Sequence, residues 1–83
     1  MKVTVRYFAS VREAMGTGTE QLDTQATTLA ALRAELVARG GAGTEALAPG
    51  RAVRMALDQV MSPESAPLTA GCEVAFFPPV TGG

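Results

Sequence analysis

The sequence predicts an α+β fold, a mixed sheet with one main helix packed across it. Three observations carry that prediction. Period-two alternation runs through residues 2–8 and returns at 73–77. A single stretch, 29–39, carries leucines at helical spacing. The first and last strand candidates are also the most apolar, so they are candidates for adjacent central strands. Pairing the two ends of the chain while each also pairs a sequence neighbour requires a mixed sheet, a grasp closed around the helix. At 83 residues the chain is one domain with a modest core. We expect a folded body over 1–77 and an extended tail over 78–83.

The elements follow in order. In residues 2–8, Val3, Val5 and Tyr7 fall on one face; Thr4, Arg6 and Phe8 fall on the other. Phe8 on the polar side flanks either a partner site or a loop. Residues 9–15 form a short helix, with Ser10 as N-cap and Glu13 completing a capping box. Gly16 and Gly18 punctuate its end. Residues 19–23 make a second, weakly signalled strand. Thr27 or Thr28 caps the main helix, which runs to Arg39 on a stripe of Leu29, Leu32, Leu36 and Val37 and stops at Gly40-Gly41. A loop follows, with a helical turn over 45–48 and a Pro49-Gly50 turn. Residues 51–58 alternate again, Val53, Met55 and Leu57 against Arg54, Ala56 and Asp58, and Val60-Met61 starts a short return strand. Pro63 and Pro67 exclude a central strand between them. Thr69-Ala70-Gly71 turns into the last strand, 73–77. Its two faces, Val74 and Phe76 against Ala75 and Phe77, are both apolar. Such a strand is covered on both sides or meets a partner on its outer face.

Composition narrows the function. The net charge is −1, from seven basic and eight acidic residues, so no basic field recruits nucleic acid or anionic lipid. Histidine is absent, which removes the commonest general base and metal ligand. The chain is therefore expected to be non-catalytic alone, with no metal site. Cys72 is the single cysteine, which excludes an internal disulfide and fits a reducing, cytoplasmic setting. In a turn beside Gly71 and Glu73 it reads as a bystander, since reactive thiols need an electropositive setting. No apolar run is long enough to span a membrane.

The chemistry is expected at the tail. Pro78 and Pro79 fix their own φ and lack N–H groups, so a strand ending at Phe77 continues as a stiff, extended stem. Val80 is the one apolar side chain beyond it. Gly82 and Gly83 have no Cβ and enter channels closed to other residues. Six residues from Pro78 to Gly83 reach about 20 Å at full extension. A free α-carboxyl at Gly83 is ionised at neutral pH and can attack the α-phosphorus of ATP. ATP, metal and any acid–base group have to come from a partner.

These residues resemble a known family. Residues 3–9 with Val11-Arg12-Glu13, Leu29 and Leu32, Pro67-Leu68, Gly71 and above all Phe76-Phe77-Pro78-Pro79-Val80-Thr81-Gly82-Gly83 resemble the small subunits of molybdopterin synthase, the ubiquitin-like sulfur carriers of molybdenum-cofactor biosynthesis. The resemblance covers essentially the whole chain. It implies a ubiquitin-like β-grasp and a two-stage cycle. An E1-like enzyme uses Mg·ATP to adenylate Gly83, and a sulfur donor protein converts it to a thiocarboxylate. The tail then enters the large synthase subunit, where the sulfur passes to cyclic pyranopterin monophosphate to build the dithiolene. The family complex is usually a large-subunit dimer with a small subunit at each end. On this resemblance Gly83 is the carrier and Gly82 fits the channel. Thr81 and Val80 line the tail's path beyond the Pro78-Pro79 stem, and Phe77 supplies apolar interface surface; Phe8, from its place on the polar face of the first strand, is the second interface candidate. No cofactor is bound by the chain itself. The family often has an acidic residue where this chain has Cys72, which changes local charge near the partner surface. The alternative is a related Gly-Gly carrier serving thiamine, cysteine or tRNA thiolation; a ubiquitin-like modifier and an inert interaction domain are the readings from other classes.

Overall fold

The structure, a computed structural model, describes residues 1–41 and 44–79. Strand β1 (Lys2–Tyr7) leads through helix α1 (Ala9–Met15) to β2 (Thr19–Asp23). Helix α2 (Leu29–Arg39) and a single 3-10 turn (Thr44–Leu47) precede β3 (Arg54–Leu57), β4 (Val60–Met61) and β5 (Glu73–Phe77). The sheet order is β2-β1-β5-β3-β4. β1 and β5 pair in parallel at the centre, and the remaining neighbours are antiparallel. This is the ubiquitin-like β-grasp that the sequence predicts, first and last strands side by side.

Hydrophobic burial explains the arrangement. Val3, Val5, Tyr7, Val74, Phe76 and Met55 on one sheet face pack against Leu29, Leu32 and Leu36 of α2, Val11 of α1 and Leu47 of the 3-10 turn in one cluster. Both helices therefore lie on the same side. Strand β5 is apolar on both faces, yet only one face carries a helical layer. Its outer residues Ala75 and Phe77 belong to the open face.

Local chemistry sets the boundaries. Thr28 is the N-cap of α2, its hydroxyl accepting from Ala31 N–H at 3.1 Å. The next orphan donors are met by the proline-bearing loop: Leu29 N–H bonds Ala66 O and Ala30 N–H bonds Glu64 O. That loop is irregular, as the prolines require, and it completes the helix start. The capping box expected at Ser10 does not form. Ser10 lies inside α1, whose N-cap is Phe8 with no side-chain bond, because β1 stops at Tyr7 and the cap falls two residues before Ser10. Ala9 makes that turn with φ +50°, unusual for a residue with a Cβ. β3 is shorter than expected: residues 51–53 are irregular and pairing begins at Arg54. Asp58 and Gln59 form the two-residue β3–β4 turn, both at positive φ as such hairpins require.

Candidate functional site

The site is the end of the sheet where the chain leaves it. β5 stops at Phe77, opposite Arg54, and Pro78 and Pro79 continue without regular structure. Proline cannot donate to a ladder, so pairing ends there. Residues 80–83, which include the expected carrier Gly83, Gly82, Thr81 and Val80, lie outside the described residues.

The two phenylalanines expected at a partner interface come together at this exit. Phe8 N–H bonds Phe76 O at 3.1 Å, which continues the β1–β5 pairing by one step. Its ring meets Phe77 edge to face, centroids 6.3 Å apart at 87°. Arg6 stacks over the Phe8 ring at 5.4 Å and approaches Glu73 at 3.8 Å. Phe8 is 40% exposed on a face without a helical layer. Pro78 turns the other way, lining a hollow with Val11 and Ala14 of α1 and with Ala46, Arg51 and Ala52.

An arginine holds the far wall of that hollow. Arg33, on α2, donates to Leu47 O (2.7 Å), Ala48 O (2.9 Å) and Arg51 O (2.8 Å) and pairs with Glu64 (2.9 Å). One guanidinium fork thus gathers the carbonyls of the 45–51 segment, which the sheet does not hold. Sequence reasoning missed Arg33, because an arginine next to a leucine stripe looks like a solvated residue.

On the helix-covered face, Tyr7 Oη donates to Glu20 Oε2 at 2.7 Å, and Arg39 donates to both Glu20 oxygens at 2.9 and 3.2 Å. The Arg39 bonds hold the Glu20 carboxyl below the usual carboxylate range, helped by the Tyr7 hydroxyl against a smaller opposing effect of burial. Burial, reinforced by the Glu20 carboxylate, pushes the Tyr7 hydroxyl up. The triad stitches β1, β2 and the end of α2. It lies on the helix-covered face, opposite Phe8 and Phe77, and is structural.

Cys72 sits in the core cluster at 3% exposure. The expectation that it alters charge at a partner surface is therefore corrected: residue 72 points inward, among apolar side chains. Among the described residues no group of three His, Cys, Asp or Glu is placed to hold a metal. None of their helices is long and apolar enough to cross a membrane. Sequence reasoning also missed Arg54 and Met61, which share the open face with Phe77. Alternation put Arg54 opposite Met55, but only the register sets it beside β5.

Comparison with known proteins decides the family. Residues 5–83 match the ThiS family. The chain belongs to the ThiS family. Within it, the chain is 41% identical over 81 residues to the molybdopterin synthase sulfur carrier subunit of Escherichia coli, spanning 98% of this chain and 99% of that protein. A molybdopterin converting factor subunit 1 from Pyrococcus furiosus shares the fold, with a TM-score of 0.78 at 24% identity over 96% of this chain and 99% of that one. The structure of a complex between subunits 1 and 2 of the molybdopterin-converting factor from Helicobacter pylori matches at a TM-score of 0.67 and 26% identity, each chain fully covered. The ThiS-family chain thus has relatives along its whole length, tail included.

Proposed function

We propose that this chain is the sulfur carrier subunit of a molybdopterin synthase, carrying sulfur as a thiocarboxylate on Gly83. The observation that carries the reading is the 41% identity to such a subunit across nearly the full length of both chains. The physics of the tail agrees. The fold contributes no histidine, and the residues around the exit are aromatic, aliphatic and cationic. They suit docking and offer no general base.

In this reading a partner of the E1 type binds Mg·ATP and brings its α-phosphorus to the Gly83 carboxylate. The carboxylate oxygen attacks, pyrophosphate leaves, and an acyl-adenylate forms. Sulfide-level sulfur released by a donor protein then displaces AMP at the acyl carbon and leaves the thiocarboxylate. The carrier next docks on the large synthase subunit, with Phe8 and Phe77 as apolar anchors. Pro78 and Pro79 hold the tail straight, Val80 and Thr81 line its path, and Gly82 passes the narrowest part of the channel. The thiocarboxylate sulfur bonds to cyclic pyranopterin monophosphate, water cleaves the acyl–sulfur bond to restore the Gly83 carboxylate, and two such transfers complete the dithiolene. The chain remains the donor; its partners supply the catalytic groups.

The test is reconstitution. Thiocarboxylated protein is mixed with the large synthase subunit and cyclic pyranopterin monophosphate. Dithiolene product and regeneration of the Gly83 carboxylate are expected. Absence of product, with sulfur passing instead to a thiamine, cysteine or tRNA thiolation acceptor, would assign the carrier to that pathway.

A further inference from the structure

The open face of the sheet has an internal pattern beyond its two phenylalanines. Pairing defines one row of residues across it: Thr19, Arg6, Ala75, Ala56 and Met61. The next row toward the exit holds Phe77 beside Arg54. The middle of the face is therefore two alanines, with an arginine on each flanking strand and aromatic or thioether side chains around them. Arg6 and Arg54 stand two strand spacings and two residues apart, about 12 Å between Cα atoms. Side chains of that length can span the gap above Ala75, which is only 7% exposed, and Arg6 is drawn over the Phe8 ring on one side of it.

Charge on the face is uneven. Lys2, Asp23 and Glu73 lie toward the opposite end, with Asp58 accepting from Glu73 N–H at 2.9 Å. Arg6 has a loose partner in Glu73 at 3.8 Å. Arg54 is exposed and has no acidic group within ion-pair distance among the described residues. Among the described residues the exit end thus carries a positive charge without an acidic partner, inside an apolar surround that includes Met61 at 53% exposure. An apolar protein surface laid on this face would strand that charge unless it brought a carboxylate.

We infer that the open face seats an Asp or Glu side chain of the large synthase subunit over Ala75, between Arg6 and Arg54. The inference rests on the sulfur-carrier reading and specifies the chemistry of the partner's surface. Phe8, Phe77 and Met61 supply buried area, and the carboxylate sets the register in which the tail enters its channel. Guanidinium groups suit this role because each presents a planar fork to a carboxylate.

Binding of the full-length chain to the purified large subunit tests it by calorimetry at low and high salt. R54E should raise Kd by about tenfold or more at low salt, and R54M by less. The salt dependence of wild-type binding should shrink in both variants. Arg54 is exposed, so both variants should melt with the wild type. In a complex made with R54K, carbodiimide should couple position 54 to an Asp or Glu of the large subunit, identified by peptide mass mapping. An unchanged Kd for R54E overturns the inference, as does coupling to a second copy of this chain. If wild type itself fails to bind the large subunit, the sulfur-carrier reading falls as well. Tight wild-type binding with no effect at position 54 removes this inference alone.

Discussion

Replacing Glu20 by leucine tests how the sheet is fastened to the end of α2. Glu20 accepts from Tyr7 Oη and from both Arg39 nitrogens. Leucine removes the acceptor of the Tyr7 hydroxyl proton, in a residue 1% exposed, and leaves beside it only Arg39, a guanidinium that cannot accept. An orphaned buried hydroxyl costs about 1–3 kcal/mol, whereas losing the half-exposed Arg39 pair costs only about 0.2–1 kcal/mol. Desolvation therefore dominates, and E20L should lose about 2 kcal/mol, or about 8–16 °C in Tm for a domain of this size. Tyr7→Phe removes the hydroxyl, so E20L added to that background should cost about 1–2 kcal/mol less than in wild type. Urea denaturation of the four proteins supplies the cycle. A coupling near zero would refute the claim that an unpaired hydroxyl sets the cost. The same triad sets a pH dependence. Glu20 is depressed in the fold, so its contribution is present above the unfolded carboxylate range and fades as pH falls through the folded value. Tyr7 is raised, so the native state holds its proton longer and stability falls as pH climbs above about 10. Tyr7→Phe should flatten the alkaline limb and leave most of the acid limb.

Other substitutions probe separate parts of the account. Arg33→Met strips three carbonyls and Glu64 of their donor at a largely buried site; about 2–4 kcal/mol of stability should go, and a loss under 0.5 kcal/mol in denaturant titration would contradict the clamp. Cys72→Ser puts a hydroxyl into the core and should cost about 1–3 kcal/mol, while sulfur transfer at a permissive temperature stays intact. Loss of transfer in folded protein would move the sulfur to that thiol. Phe77→Ala should weaken binding to the large synthase subunit by about 1–4 kcal/mol, and an unchanged Kd would exclude it as an interface anchor.

Much of the fold was legible because its signals are local. Alternation located β1 and β5, the leucine stripe located α2, and Thr28 and Gly40 bound that helix as capping chemistry predicts. The central pairing of β1 with β5 followed from their apolar character. Features that depend on register were not legible. Arg54 reads as a solvated residue until its pairing with Phe77 is known. Cys72 reads as a turn residue, yet the turn at Gly71 points it into the core. The Ser10 box failed because the chain reversal set by Phe8 and Ala9 starts the helix before it. The tail's composition pointed to its chemistry because proline and glycine restrict or free the backbone wherever they sit.

The central claim is that sulfur rides on the carboxyl of Gly83. Incubating the protein with its activating enzyme, Mg·ATP and a sulfur donor, then measuring intact mass, tests it most directly. The account predicts a gain of about 16 Da, one oxygen exchanged for sulfur, lost when Gly83 is deleted or followed by one added residue. An unchanged mass, or the same gain in the deletion variant, would contradict it.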